Sequence, residues 1–190
     1  MDEQIVTMCS QLSHMLRYIV SDTQQSVPFT LEKEFTINYW GCIQVRQGDR
    51  ISLNWDTDPL MDMLMIPKLI MQPIIENSIK YSPDEEHLQL QVTGRIRGDR
   101  WQLEFEDSGP GFDPDAKALI FDSIQAFRNE YRLPEFHISG MALINIFVRL
   151  YMLYGEDAVF RIENTKPHGC IVTIGGLIYP AGALTKEGGR

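Results

Sequence analysis

DSGPGF (residues 107–112) follows the segment WQLEFE (101–106), and upstream the chain reads PIIENSIKY (73–81). WQLEFE alternates apolar and polar residues as a half-buried strand does, so Asp107 falls where a strand runs into a turn. The turn has the pattern D-x-G-x-G. Glycine supplies positive φ there and aspartate supplies local hydrogen bonds, so the motif alone also suits an ordinary capped turn. A carboxylate so placed can instead accept from an exocyclic amine, an interaction of about 1.5–3 kcal/mol when one partner is charged.

The upstream segment decides between these readings. At about 100° per residue, Lys80 lies roughly 40° from Glu76, Gln72 roughly 40° to the other side and Asn77 roughly 100° away, while Ile70, Met71, Ile74, Ile75 and Ile79 fill most of the remainder. A helix that is apolar over most of its circumference is buried, so this polar arc faces a cavity, another polar element or water. Glu beside Asn suits Mg²⁺, which prefers oxygen ligands and takes few protein contacts beside substrate phosphates. Lys80, one turn on, suits a phosphate as a point charge. A third element follows: Ser139-Gly140 opens a segment with Ile144, Phe147, Val148 and Tyr151 at helical spacing and Gly155 at its end. Glycine turns feeding helix N-termini favour anions. In this order the three elements imply a nucleotide pocket.

These residues carry a family resemblance. The chain resembles the ATP-binding catalytic domain of sensor histidine kinases, in the GHKL superfamily shared with gyrase, Hsp90 and MutL, and within it the LytS/YesM-like class. IPKLIMQPIIENSIKY (66–81) resembles the N box, EDSGPGF (106–112) the G1 box, SGMALINIFVRLYMLYGEDA (139–158) the G2 box with its helix, and HGCIVTI (168–174) the closing strand. LSHMLRYIV (12–20) and QGDRI (47–51) also have counterparts there.

The resemblance implies roles position by position. Asn77 coordinates Mg²⁺, Glu76 sits beside the reacting phosphate, and Lys80 and Tyr81 line the phosphate and ribose side. Asp107 accepts from the adenine amino group, Gly109 and Gly111 let backbone approach the ring, and Phe112 and Thr173 are further nucleotide-binding residues. Gly140, Met141, Ala142 and Leu143 border the phosphates, with Asn145 and Arg149 in support. Ala142 stands where the family has a second glycine. If that position has positive φ, the methyl costs about 1–2 kcal/mol and weakens ATP binding. The alternative function is a degenerate, non-catalytic module.

Composition agrees with a globular chain. It has 190 residues, 44% hydrophobic and 23% charged, enough for one main domain. A formal charge of −9 argues against nucleic acid or an anionic membrane as direct partners. Cys9, Cys42 and Cys170 lie far apart without metal spacing, which suits packing in a reducing compartment. No stretch reaches the ~20 apolar residues of a membrane span.

A helix is expected over residues 2–21, striped by Ile5, Cys9, Leu12, Leu16 and Ile19, then a polar linker over 21–28. A second helix capped by Thr30 should bury Leu31, Phe35, Asn38, Cys42 and Val45, with Glu32 and Glu34 favourable in its first turn. Strands are expected at 50–55, 88–97, 101–106, 159–163 and 169–177. Helices are expected at 67–81, kinked by Pro73, and at 141–154. Residues 113–137 correspond to the family's ATP lid, with Ile120, Phe121, Ile124 and Phe127 spaced for a helix on the core.

The fold expected is α+β, a two-layer α/β sandwich of Bergerat type with a mixed sheet, preceded by a helix from the dimerisation region. Residues 1–27 hold that helix and linker, 28–180 the ATPase domain and 181–190 a mobile tail. The acceptor histidine of the family lies on an earlier helix that this chain lacks, and His14 is not its equivalent. His87 and His168 read as turn residues, while His137, in the lid just before Ser139, reaches the phosphates only on the lesser of its two readings. The resemblance thus implies the cytoplasmic part of a membrane-anchored bacterial kinase, using ATP and Mg²⁺. It dimerises in the intact protein and passes phosphoryl to a response regulator, with no nucleic acid and no direct membrane contact.

Overall fold

The structure, a computed structural model, describes Ser13 and residues 26–83, 87–130 and 140–178. Ser13 is helical. The remainder of the first expected helix, His14, His137, Ser139 and the tail lie outside the described residues. The elements are β1 (Ser26–Pro28), α1 (Phe29–Gln47), a 3₁₀ turn, β2 (Ile51–Thr57), a second 3₁₀ turn (Pro59–Met63), β3 (Met65–Pro67) and α2 (Gln72–Tyr81). Then come β4 (Leu88–Arg97), β5 (Arg100–Asp107), α3 (Pro114–Glu130), α4 (Met141–Tyr154), a third 3₁₀ turn, β6 (Val159–Asn164) and β7 (Cys170–Leu177). A five-stranded sheet runs β2-β4-β5-β7-β6, and β1 and β3 form a separate pair. Only the β2–β4 pairing is parallel, so the sheet is mixed, as expected.

Period-2 alternation puts Leu88, Leu90 and Val92 of β4 and Trp101, Leu103 and Phe105 of β5 on the buried face. Ile74, Ile75 and Ile79 of α2 and Leu143, Ile146, Phe147 and Leu150 of α4 join them in one core. Trp101 is fully buried, donates Nε1–H to the Tyr154 hydroxyl at 3.2 Å and meets that ring edge-on at 6.0 Å. Cutting such a side chain to alanine costs roughly 3–5 kcal/mol.

Three local expectations are corrected. Helix α1 starts at Phe29 after Pro28, with no side-chain cap from Thr30. It buries Phe29, Glu32, Phe35, Thr36 and Trp40, whereas Leu31 is 45% and Val45 56% exposed. Hydrophobicity misplaces this face because a carboxylate, Glu32, is buried in it. Its Oε1 accepts from the amides of Ile70 (2.8 Å) and Met71 (3.1 Å), and its Oε2 from that of Leu69 (3.0 Å). Second, Pro73 does not kink a helix. Residues 65–67 form β3, and α2 begins at Gln72, so Pro73 sits in the first turn, where its missing N–H removes no hydrogen bond. Third, Ser26 and Val27, read as linker, pair with Pro67 and Ile66.

Candidate nucleotide site

Strand β5 ends at Asp107, which stands opposite Leu90 of β4 and Cys170 of β7. Its Oδ1 accepts from the Gly109 amide at 3.0 Å and its Oδ2 from the Ser78 hydroxyl at 2.7 Å. Burial pushes this carboxyl above its usual range, against the opposing pull of Ser78 and of the Gly109 and Cys170 amides. The turn beyond is clamped by Asn164, which accepts from the Phe112 amide at 2.9 Å and donates to its carbonyl at 2.8 Å. Gly111 has φ +84°, and a Cβ there would lie 3.0 Å from the Gly169 carbonyl, so glycine is required.

A cavity of about 220 Å³ opens beside Asp107. Helix α2 contributes Ile74, Asn77, Ser78 and Tyr81 to its wall, and β7 contributes Cys170 and Val172. The turn supplies Gly111 and Phe112, helix α3 supplies Ala116 and Ile120, and the start of α4 supplies Gly140 and Leu143. The walls are mainly apolar, with Asp107, Asp113, Asn77, Ser78 and the Tyr81 phenol as polar points. Gly140 has φ +87°, and a Cβ on it would meet Ile120 at 2.9 Å. Helix α3 packs on α4 through buried Ile120, Ile124 and Phe127, with the Phe127 ring edge-on to Phe147 and Tyr151. The described part of the lid segment is thus a helix on the core.

Of the residues singled out in the sequence, Asn77, Tyr81, Asp107, Gly111, Phe112, Gly140 and Leu143 meet at this cavity, with Gly109 bracing Asp107. The polar arc on α2 is divided. Glu76 and Lys80 face a separate cleft of about 530 Å³ between α1 and α2, with Tyr39 and Arg46. Burial first, and then the charge of Glu76, push the Tyr39 phenol up to about 12. The Lys80 ammonium lies 5.2 Å from the centre of the Tyr81 ring. Met141, Ala142 and Asn145 lie in the first turns of α4 outside the cavity wall, and Asn145 is exposed. Arg149 donates instead to the Lys68 carbonyl at 3.1 Å.

Thr173, expected to bind the nucleotide, is not on the cavity wall. Val172 lines the cavity, so its neighbour points to the other face of the strand, and the inner position belongs to Cys170. The Cys170 thiol is pushed up to about 12 by burial and then by the Asp107 charge, so it packs rather than reacts. Ser78 is the residue that sequence reasoning missed. Its signal was its place on the helical wheel, about 40° beyond Ile74 and about 100° from Asn77, both of which face the cavity.

Ala142 is not strained. Among the described non-glycine residues positive φ occurs only at Leu69, so the methyl sits in ordinary helical backbone. Ala142→Gly is therefore expected to lower stability by about 0.5–1 kcal/mol in urea titration, as glycine does inside a helix, and not to tighten nucleotide binding.

Among the described residues no three His, Cys, Asp or Glu side chains converge on a metal position. The Asn77 amide lines the cavity without a hydrogen bond to another described residue. Its oxygen fits Mg²⁺, which completes its shell with water and ligand oxygens.

Residues 65–177 match the family model of histidine kinase-, DNA gyrase B- and HSP90-like ATPases. A sensor-like histidine kinase of Staphylococcus epidermidis is 25% identical over 166 residues, which are 87% of this chain and 31% of that protein. The sensor protein kinase HptS of Staphylococcus aureus is 24% identical over the same shares. The chain therefore spans about a third of the length of these relatives. In fold it is similar to the nucleotide-free catalytic domain of histidine kinase ThkA (TM-score 0.60, 14% identity, 83% of this chain and 100% of that one). It is similar also to a mycobacterial sensor histidine kinase, MprB (TM-score 0.56, 17% identity, 82% and 99%). With the D-x-G-x-G turn, the helix bearing Asn77 and the glycine-started helix assembled around one cavity, the chain belongs to the family of histidine kinase-, DNA gyrase B- and HSP90-like ATPases.

Proposed function

We propose that the chain is the ATP-binding catalytic domain of a two-component sensor histidine kinase, binding Mg-ATP and supplying its γ-phosphoryl group to a histidine for relay to a response regulator. The observation that carries this reading is Asp107, a half-buried carboxylate at the polar end of an apolar cavity roofed by helix α3. The cavity is smaller than the roughly 300–1,000 Å³ of pockets that enclose whole ligands. It suits the adenine ring, with sugar and phosphates at its mouth.

Asp107 accepts from the adenine amine, while Gly109, Gly111 and Phe112 shape the turn against the ring. Asn77 would hold Mg²⁺ through its side-chain oxygen, and the ion would supply neutralisation of phosphate charge. Tyr81 lines the sugar side. The first amides of α4, from Gly140 through Leu143, border the phosphates as free helix N–H groups do. Glu76 and Lys80 face the cleft between α1 and α2 and not this cavity, so a role for them at the phosphates rests on the family resemblance alone. One solved ThkA structure is a complex with the response regulator protein TrrA, which supports a similar partner here. No described helix is long and apolar enough to cross a membrane. We place this segment on the cytoplasmic side of an anchored, dimeric kinase by analogy with sensor kinases. Unstrained helical backbone at Ala142 supports this reading over the non-catalytic alternative.

Titration calorimetry with ADP and ATP tests this. One site per chain, tightened by Mg²⁺ for ATP, is expected. No binding at millimolar nucleotide would overturn the reading.

A further inference from the structure

We propose that Ser78 reads the base together with Asp107: its hydroxyl donates to the ring nitrogen next to the exocyclic amine, and the pair thereby selects adenine. The inference rests on the cavity being the nucleotide site.

Ser78 lies on α2 and lines the cavity beside Asp107, with its oxygen 2.7 Å from Asp107 Oδ2. A hydroxyl carries one hydrogen. That hydrogen has two acceptors in reach, the Ile74 carbonyl at 3.4 Å and the Asp107 carboxylate at 2.7 Å, and the shorter, charged partner takes it. The two side chains then present only acceptors to the cavity. Adenine offers one donor, the amine, beside one acceptor, the adjacent ring nitrogen. The carboxylate cannot donate to that nitrogen; of the neighbouring walls, Ile74, Leu143 and Val172 have no polar side-chain atoms, and Cys170 offers only a weak S–H donor.

Rotation of the Ser78 hydroxyl solves this. The amine replaces Ser78 as a donor to Asp107, and the freed hydrogen turns to the ring nitrogen. Asp107 keeps the Gly109 amide on its other oxygen throughout, so its orientation survives the exchange. A 6-oxopurine has the reversed pattern, an acceptor facing Asp107 and a donor facing Ser78, and leaves the half-buried carboxylate against a carbonyl.

The test compares ADP with 1-deaza-ADP, which lacks that ring nitrogen, on the whole 190-residue chain by calorimetry. The wild type should bind ADP roughly tenfold more tightly than the analogue, as for the loss of one hydrogen bond. Ser78→Ala should bring this ratio to about one, and Ser78→Thr should restore it. A general disturbance of Asp107 in Ser78→Ala would weaken both ligands and leave their ratio alone. An equal ratio in wild type and Ser78→Ala overturns the role of Ser78 while leaving the nucleotide reading standing. Failure of the wild type to bind ADP at all overturns both.

Discussion

Glu32→Ala is expected to destabilise the protein by about 3–5 kcal/mol, because it leaves three backbone amides in the interior without their acceptor. Glu32 is fully buried on α1 and accepts from Leu69, Ile70 and Met71, the residues that lead into α2. Leu69 has φ +59°, a left-handed conformation that costs a leucine about 1–2 kcal/mol. Those hydrogen bonds hold the strained turn in place and set where α2 begins. Glu32→Gln keeps one oxygen for Ile70 and Met71 but sets its NH₂ against the Leu69 amide, so an intermediate loss is expected. Urea denaturation of the three proteins checks the order. A Glu32→Ala protein within about 1 kcal/mol of wild type would mean that water or a shifted turn satisfies these amides.

Asp107→Asn is expected to separate binding from stability. Burial raises the carboxyl above its ordinary value, so the folded protein takes up this proton more readily than the unfolded chain. Between the ordinary and raised values the native state holds more protons, and stability from this group therefore falls as pH rises through that window. At neutral pH the ionised form burdens the fold. Asparagine removes the charge and keeps the local geometry, its oxygen accepting from Gly109 and its NH₂ turned to the Ser78 oxygen. The melting temperature at neutral pH should hold or rise. ADP binding should fall at least roughly tenfold, since an amide donor then faces the base amine. Scanning calorimetry with and without ADP reads both, because ligand stabilises only a protein that binds it. A variant that loses stability but retains its ADP-induced shift would refute the assigned role.

Much of this molecule was legible from residue order. Alternation in WQLEFE placed β5 and Asp107, and glycines at 109 and 111 marked the turn, because a strand's period and a turn's φ are local properties. The same holds for α4, whose apolar spacing and terminal Gly155 set its limits. Where local and tertiary demands diverge, the sequence misleads. Glu32 looked like a helix-dipole residue, and its burial depends on amides 37–39 residues away. Pro73 was read as a kink because nothing local shows that residues 65–67 leave the helix to pair with β1.

The site divides in the same way. Asn77 and Asp107 announce themselves by residue type, since amide and carboxylate oxygens in apolar surroundings need partners. Thr173 and Cys170 could be told apart only by knowing which face of β7 meets the cavity. Ala142 looked strained until the start of α4 placed positive φ at Gly140 instead. Residue types and their order determined the family, the sheet and the chemistry of the base pocket. Only the tertiary structure decided which side chains share a wall, because period alone gives relative faces and packing chooses which of them turns inward.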